Sequence, residues 1–251
     1  MLAIADVHHA LAPLRRVVML GEPLLILGDL VNLTDYRTGE GAIADVLGVD
    51  FANDVGQARA QGDYTRMREL WTAAMGEGVE AIRESLGIVL RRQYEEVAEV
   101  LAGGHGFALH GNVDRPAMLR DSLPDGIEYV HGETRTLEGR VFGFAGGGVS
   151  TPVHAQGEVS DEEMTMALAS LGPVDVLCTH VPPAIDPLRT DVVTGRSERG
   201  SQPILDYITA NQPALHLFGD VHQPQASTWR VGRTICRNVG YFRATGRGVE
   251  V

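Results

Sequence analysis

Five short apolar runs in the chain each end on a polar residue of a type that binds metal ions. The runs are LAIAD, PLLILGD, FALHGN, VDVLCTH and ALHLFGD. Apolar runs of this length are typical of strands buried on both faces of a parallel sheet. Polar residues just past the carboxyl ends of such strands gather at one edge of the sheet, so the sequence predicts an α/β fold with one polar edge. The candidate metal ligands at that edge are, in chain order, Asp6, His8, Asp29, Asn112, His180, Asp220 and His222.

The order of the predicted elements favours a single domain over residues 1–251 with a helical insertion. An amphipathic stretch, LAPLRRVVML, lies between the first two runs and completes a βαβ unit. From about residue 34 to residue 104, apolar residues recur at steps of three and four, which predicts an insertion of helices. Later segments predict strands over IEYV and RVFGFAGGG, helices over DEEMTMALASL and ILDYITAN, an exposed loop over 184–202, and a C-terminal hairpin turned at 231–233.

Composition argues against several classes of function. The net charge of -12 opposes nonspecific attraction to nucleic acid or to an anionic membrane. The chain has no lysine, which excludes Schiff-base lysine chemistry and a P-loop lysine. No run is long enough to cross a membrane, and the apolar start leaves no room for a secretion signal, so we expect a cytoplasmic protein. We expect Cys178 and Cys236 to be reduced; soft-metal ligation by Cys178, two positions before His180, stays open.

The candidate ligands carry the donor atoms of a transition-metal site. Asp6 and His8 lie two positions apart, so in an extended segment both would point to one face and could bind one ion together. The carboxylate of Asp29 has two oxygens, which could bridge two cations. Carboxylate, amide and imidazole donors together suit Mn, Fe, Zn or Ni better than Mg alone.

The ordered motifs DVH, GDLVN, GNVD, THVPP and GDVH resemble those of the calcineurin-like metallophosphoesterases, which are DxH, GDxxD or GDxxN, GNH[DE], H and GHxH. The resemblance spans residues 6–222, and NVG at 238–240 is similar to a short Asn-Gly segment that often follows. It implies a four-layer α/β/β/α metallophosphoesterase sandwich with a helical insertion, and phosphoester hydrolysis by a metal-bridging hydroxide. It also implies two divalent ions, which would be Mn, Fe, Zn or Ni. The resemblance assigns one ion to Asp6, His8, Asp29 and His222, and the other to Asp29, Asn112, His180 and Asp220.

Two positions depart from the pattern of the family. Val113 stands where the family has the histidine credited with protonating the leaving group, and Asp220 stands where it has the first histidine of GHxH. An aspartate can still bind a divalent ion, and it favours harder metals such as Mn or Fe(II). Without the imidazole, leaving groups that depart easily are favoured, which points to phosphodiesters. The residues named for catalysis are Asp29, Asn112, Asp114 and His9, and those named for substrate binding are Asn112 and Arg115.

Alternatives to this interpretation stay open. A catalytically weak binding or scaffolding protein of the same fold would also be expected to show the departures at Val113 and Asp220. Another alternative is a mononuclear hydrolase, which would hold one ion instead of two. The expected partner is a small-molecule phosphoester rather than a nucleic acid polymer, and the insertion is a candidate cap or homo-oligomer interface. Asn32 is expected to orient Asp29, His154 to lie in a loop near the site, and the C-terminal arginines, including Arg243, to be solvated.

Overall fold

The computed structural model describes residues 1–35, 38–76, 78–151, 155–193 and 195–251, and these form a mixed α/β fold. The strands are Leu2–Ile4 (β1), Leu24–Leu27 (β2), Gly106–Leu109 (β3), Ile127–Tyr129 (β4), Glu133–Leu137 (β5), Arg140–Ala145 (β6), Gly148–Val149 (β7), Glu158–Val159 (β8), Val176–Thr179 (β9), Thr190–Asp191 (β10), Arg196–Ser197 (β11), Leu215–Phe218 (β12), Thr228–Val231 (β13), Thr234–Asn238 (β14) and Val249–Glu250 (β15). The helices are Leu11–Val18 (α1), Ala42–Leu47 (α2), Val49–Gln61 (α3), Tyr64–Met75 (α4), Val79–Leu101 (α5), Pro116–Ser122 (α6), Asp161–Leu171 (α7), Asp186–Arg189 (α8), Gln202–Asn211 (α9) and Phe242–Thr245 (α10).

One sheet has the strand order β15-β1-β2-β3-β4. Its strands β1 to β4 are parallel, and β15 pairs antiparallel with β1 at the edge. The predicted βαβ unit is confirmed as β1, α1 and β2. Since β1, β2 and β3 run in the same direction, their carboxyl ends lie at one edge, and the loops that leave this edge carry Asp6, Asp29 and Asn112.

The other large sheet has the strand order β13-β14-β12-β9-β6-β5. Its central strands β6, β9, β12 and β14 are parallel, and β5 and β13 are antiparallel at the two edges. His180 directly follows β9, and Asp220 and His222 lie in the loop after β12. The predicted C-terminal hairpin is confirmed as β13 and β14, and the predicted helices are present as α7 and α9.

Neighbouring residues of the central strands face different clusters of buried side chains. In β2, Leu24 packs with helices α1 and α5, whereas Leu25 packs with Phe144 of β6. In β9, Leu177 packs with helices α7 and α9, whereas Cys178 joins the cluster that contains Leu25. This is the alternation that a strand buried on both faces requires. The two large sheets therefore share one apolar cluster, and each also packs against helices.

Residues 34–104 contain α2, α3, α4 and α5, so their predicted helical character is confirmed. The last of these helices is more than an insertion, because Leu90, Tyr94 and Val97 of α5 are buried against the first sheet. A parallel pair such as β2 and β3 needs a crossover of this kind, so α5 belongs to the core of the fold. Only α2 to α4 are additional to that crossover.

The polar segment 184–202 was expected to be an exposed loop, and the structure is more ordered there. It contains α8 and the paired strands β10 and β11, and Leu188 is fully buried. Among the residues that the structure describes, no helix is both long and apolar enough to cross a membrane.

Candidate metal centre

The loops that carry the candidate ligands have an unusual backbone. Among the described residues other than glycine, seven have a positive φ, and five of these are Asp6, His8, His9, Asp29 and Asp220, with φ between 42° and 65°. Such left-handed conformations are costly for L-residues and cluster at functional sites. The extended DxH segment expected from the sequence is therefore wrong, because β1 ends at Ile4 and the two ligands converge through a turn.

Glycines in these loops allow the close approach of neighbouring ligands. A Cβ atom placed on Gly111 would lie 2.1 Å from Oδ1 of Asp29 and 2.7 Å from its backbone nitrogen. A Cβ atom on Gly219 would lie 2.6 Å from Oδ2 of Asp6. All three distances are below any ordinary van der Waals contact. Gly111 and Gly219 therefore let the carboxylates of Asp29 and Asp6 lie close to neighbouring loops, which a larger residue at either position would prevent.

The first group of donors consists of Asp6, His8 and His222, whose ligand atoms all lie within 4.8 Å of one another. Oδ1 of Asp6 lies 3.6 Å from Nε2 of His222 and 4.0 Å from Nε2 of His8. The other carboxylate oxygen, Oδ2, accepts a hydrogen bond from the backbone N–H of Asp220 at 3.0 Å. Oδ1 of Asp6 and Nε2 of His8 are both buried and have no hydrogen-bond partner among the described residues.

The second group is built around His180. Its Nε2 lies 3.5 Å from Oδ2 of Asp29 and 3.7 Å from Oδ1 of Asp220. With Oδ1 of Asn112 facing the imidazole, the same nitrogen is 3.1 Å from that oxygen. With the amide reversed, Nδ2 of Asn112 donates to Oδ2 of Asp29 at 2.8 Å instead. Because amide orientation is assigned from its partners, a cation beside His180 would select the first orientation.

Asp29 joins the two groups. Its Oδ2 lies 3.8 Å from Nε2 of His8 in the first group and 3.5 Å from Nε2 of His180 in the second. Its Oδ1 is occupied, because it accepts a hydrogen bond from the backbone N–H of Val113 at 3.0 Å. One oxygen is thus anchored to the protein, and the other faces both imidazoles.

The spacing of these donors fits metal ligation better than hydrogen bonding. Separations of 3.5 to 4.0 Å between carboxylate oxygens and imidazole nitrogens exceed the usual hydrogen-bond length. Two ligands that each bind one ion at 2.0 to 2.2 Å in tetrahedral geometry lie about 3.4 Å apart. The donor set mixes carboxylate, imidazole and amide, as Mn, Fe, Zn and Ni sites do. Two overlapping groups, Asp6 with His8 and His222 and Asp6 with Asp29 and His180, could therefore each hold a metal ion.

The ring of His180 is held in the tautomer that ligation needs. Its Nδ1 lies 2.7 Å from the backbone oxygen of Leu27, and a carbonyl can only accept, so Nδ1 carries the proton. Nε2 is therefore the ring nitrogen that faces Asp29 and Asp220, and its lone pair is the one that could bind a cation. This is the arrangement by which protein carbonyls orient metal-binding histidines, and it also links β9 to β2.

Burial and mutual repulsion shift the pKa values of the site. Burial, helped by Asp6 and Asp29, raises the pKa of Asp220 to about 7 in spite of the nearby His180. Burial opposes a charge on His180, yet Asp29, Asp220 and Asp6 outweigh it and raise its pKa well above the usual value. Burial lowers the pKa of His8, against the attraction of Asp29 and Asp6. Crowded carboxylates of this kind are stabilised by bound cations.

Asp114, named as a candidate catalytic residue, lies behind the site. Its Oδ2 accepts from the backbone N–H groups of Asp29 and Gly111, at 2.7 and 2.9 Å. Its Oδ1 accepts from the backbone N–H of Leu30 and the hydroxyl of Tyr94, both at 3.1 Å. A carboxylate has about four acceptor positions, so all are used within the protein. The direct catalytic role is therefore unsupported by the geometry, and Asp114 acts by holding the loop of Asp29.

Other candidates have mixed outcomes. Nε2 of His9 lies 2.7 Å from Oε2 of Glu96 on α5, and a quarter of its side chain is exposed, so its catalytic role stays a prediction. Arg115 is half-buried, and burial lowers the pKa of its guanidinium. The side chain of Val113 packs against the apolar cluster of the first sheet. Among the described residues, the side chain of Asn32 makes no hydrogen bond to Asp29, contrary to its expected role.

Two weaker candidates are not part of the donor groups. Cys178 is fully buried in the cluster that both sheets share, and burial raises the pKa of its thiol. Soft-metal ligation by this cysteine therefore finds no support among the described residues. His154 lies outside the residues that the structure describes.

Sequence patterns did not single out several residues that the structure places around the centre. The ring of Tyr241 stacks on His222 with centroids 3.8 Å apart. Arg243, expected to be solvated, donates from Nη1 to the backbone oxygen of His8 at 2.6 Å. Gln93 on α5 binds the backbone of Asn32 through both ends of its amide. The sequence offered one signal for Tyr241, which is its position directly after NVG at 238–240. That segment is similar to the Asn-Gly segment that often follows the family motifs.

Comparisons with known proteins do not identify a family for the chain. No family model matches it, and no curated protein matches it. The class that the fold and the centre define is therefore a mixed α/β protein with a candidate metal centre of Asp and His residues.

Proposed function

We propose that the chain is a dinuclear metal-dependent phosphoester hydrolase of the calcineurin-like metallophosphoesterase type. On this proposal the two large sheets and their helices form the four-layer α/β/β/α sandwich, with α2 to α4 as the insertion. The observation that carries the proposal is the position of Asp29, whose Oδ2 lies 3.8 Å from Nε2 of His8 and 3.5 Å from Nε2 of His180. A carboxylate oxygen that faces two imidazole groups is suited to a pair of cations.

The residues that would hold the cations follow from the two donor groups. Asp6, His8, His222 and Asp29 would hold one, and Asp29, His180, Asn112 and Asp220 the other. When bound, two divalent ions lower the pKa of a coordinated water and neutralise the charge of a phosphate. The chain itself contributes fixed ligand positions, set by Asp114 behind Asp29 and by the carbonyl of Leu27 behind His180.

Substrate binding would use the residues that flank this centre. Arg115 follows the loop of Asn112, and its guanidinium makes no ion pair within the described part of the chain, so we propose that it binds the substrate phosphate. A guanidinium suits this role because it can donate two parallel hydrogen bonds to phosphate oxygens. Asn112 would contact the same phosphate, and His9 remains the candidate proton donor next to the centre.

The preference for phosphodiesters rests on what stands in place of the missing histidine. The side chain of Val113 is directed into an apolar cluster, and both oxygens of Asp114 are engaged by other groups. Neither residue can protonate a leaving group from its position. Esters whose leaving group departs without a proton, such as aryl or nucleotide diesters, should therefore react faster than alkyl monoesters.

The test is reconstitution of metal-free protein with Mn, Fe, Zn or Ni, followed by metal analysis and a panel of aryl diesters, aryl monoesters and alkyl monoesters. We expect two ions per chain and hydrolysis fastest on the aryl diesters. Asp29→Ala should abolish turnover, and Asp125→Ala is the matched control because Asp125 is exposed and distant in the sequence from every candidate ligand.

The outcomes separate the candidate functions. Two tightly bound ions without hydrolysis of any ester would instead support a binding or scaffolding protein. One ion per chain would indicate that Asp220 is not a ligand. Alkyl monoesters hydrolysed much faster than aryl diesters would contradict the substrate preference.

A further inference from the structure

The segment just after β14 packs against the first group of candidate ligands. The ring of Tyr241 lies parallel to the imidazole of His222, with centroids 3.8 Å apart and an interplanar angle of 4°. The same tyrosine meets the ring of His8 edge-on, with centroids 5.8 Å apart. His8 and His222 are also edge-to-face, at 5.3 Å. Three rings therefore form one packed group, and two of them are candidate metal ligands.

The backbone of this segment is bonded to the loop after β1. The N–H of Phe242 donates to the oxygen of Ala5, and the N–H of Arg243 donates to the oxygen of Asp6, both at 3.1 Å. The side chain of Phe242 is buried in the apolar cluster of the first sheet, which fixes the segment in place. The loop of Asp6 and His8 thus rests on a part of the chain more than two hundred residues away.

The side chain of Arg243 also contacts the loop of Asp6 and His8. Its Nη1 donates to the backbone oxygen of His8 at 2.6 Å, and its Nη2 lies 3.1 Å from Oε2 of Glu40. Its Nε lies 3.5 Å from Oδ2 of Asp35. With less than a quarter of the side chain exposed, these contacts are partly shielded from water. Arg243 therefore joins the loop of His8 to the turn that begins the helical insertion.

The described part of the chain shows no hydrogen bond that orients either imidazole of the first group through Nδ1. A metal-binding histidine normally donates its other ring N–H to a carboxylate, a carbonyl or water, as His180 does to Leu27. Within the described residues, neither His8 nor His222 makes a hydrogen bond of this kind through Nδ1. The stacked ring of Tyr241 and the contact of Arg243 with the backbone of His8 restrict them.

We propose that Tyr241 and Arg243 are positioning residues for the cation held by Asp6, His8, Asp29 and His222. This inference rests on the proposed function only in requiring that cation. Tyr241 limits the rotation of both imidazoles through its ring, and Arg243 fixes the left-handed turn at His8 through its backbone oxygen. The cation held by His180, Asn112 and Asp220 is not positioned by Tyr241 or Arg243.

The test measures the affinity of each cation separately, by calorimetry and by the absorption spectrum of the cobalt-substituted protein. Tyr241→Leu should weaken one of the two cations by about 10- to 100-fold, the range found for residues that orient ligands, and should alter the cobalt spectrum. Tyr241→Phe retains the ring and should bind both cations as the original protein does. Arg243→Ala should weaken the same cation as Tyr241→Leu.

Two matched controls and a folding measurement accompany these variants. Trp229→Leu removes a partly exposed aromatic ring, and Arg247→Ala removes an exposed arginine from the same tail, so neither should change metal affinity. Chemical unfolding of each metal-free variant separates loss of the fold from loss of ligand orientation, and Tyr241→Phe tests the ring even where Tyr241→Leu unfolds.

The proposal is overturned if Tyr241→Leu folds and binds both cations unchanged, if it weakens both equally, or if Tyr241→Phe loses affinity as severely. Failure of the proposed function is a different result. A protein that hydrolyses no phosphoester, but loses one cation selectively in Tyr241→Leu, would sustain the positioning role while contradicting hydrolysis.

Discussion

Substitution of Gly111 by alanine should disrupt the candidate metal centre strongly, although it adds only one methyl group. The new Cβ atom would lie 2.1 Å from Oδ1 of Asp29 and 2.7 Å from its backbone nitrogen. Rotation of the carboxylate can relieve the first contact but not the second, because that atom belongs to the main chain. An ordinary van der Waals contact of 3.4 Å requires the two segments to separate by about 0.7 Å. A displacement that approaches 1 Å at a reacting centre can lower the rate of turnover by about 100-fold.

The expected change in the free energy of unfolding of Gly111→Ala follows from the same contacts. Overpacking of a buried site by one methyl group typically costs about 1–3 kcal/mol. Movement of Gly111 also weakens the hydrogen bond from its N–H to Asp114, worth about 1.5–3 kcal/mol to a charged acceptor. We therefore expect the free energy of unfolding to fall by about 2–4 kcal/mol in the metal-free protein. Because Asp29 is shared by both donor groups, the affinity for both cations should fall together.

The matched control is Gly87→Ala, the same change at a partly buried position of α5. Its Cβ atom would meet only Nη1 of Arg115, at an ordinary distance of 3.7 Å. Alanine is favoured over glycine inside a helix by about 1 kcal/mol, so this variant should be slightly more stable and bind metal normally. Denaturant unfolding and calorimetric metal titration of both variants provide the measurement. Normal metal affinity in a folded Gly111→Ala protein would refute the reasoning.

Three further predictions concern pH and metal ions. His216 is fully buried, and burial lowers its pKa to about 3, so its neutral form stabilises the fold above the ordinary pKa of 6.5 and this contribution is lost as pH falls toward 3. At pH 5 the loss should be about 2 kcal/mol, and His216→Gln should show a correspondingly smaller fall in unfolding free energy between pH 7 and pH 5. Asp220→His removes a carboxylate from the second group, so competition titrations should show higher affinity for Zn relative to Mn; an unchanged ratio would argue against ligation by Asp220. Mn at 100 times its dissociation constant should raise the unfolding free energy by about 2.7 kcal/mol per site, reversed by a chelator, whereas thermal unfolding insensitive to both would count against a metal centre.

The strands that precede the candidate ligands could be predicted because each is a local apolar run. LLIL, VLCT and LHLF coincide with β2, β9 and β12, and their polar followers meet as parallel strand ends require. The helix α7 could be predicted from local residues in the same way, since Ser160 and Glu163 form a capping box at its start. These features depend on neighbours in the sequence, so the pattern of residue types was sufficient.

What the sequence could not show depends on contacts between distant segments. Asp114 follows the ligand loop in the chain, but its direction is set by donors in the loop after β2 and on α5, including Asp29 and Tyr94. Arg243 has the spacing of a solvated tail residue, yet it reaches the loop of His8. The turn at Asp6 is stabilised by two backbone hydrogen bonds rather than by its own residue pattern: the N–H of Asp6 donates to the oxygen of Gly28, and the oxygen of Asp6 accepts from the N–H of Arg243. Periodicity carries no information about such long-range hydrogen bonds.

The left-handed backbone at Asp6, Asp29 and Asp220 bears on how a chain of this kind would evolve. Holding an aspartate in that conformation costs about 1–2 kcal/mol, whereas glycine adopts it without steric penalty. Glycine would also remove the repulsion among three neighbouring carboxylates. A lineage released from cation binding could therefore gain thermal stability by single substitutions at any of these positions. This chain carries aspartate at all three positions and so retains the less stable choice, which the proposed binding of cations would explain.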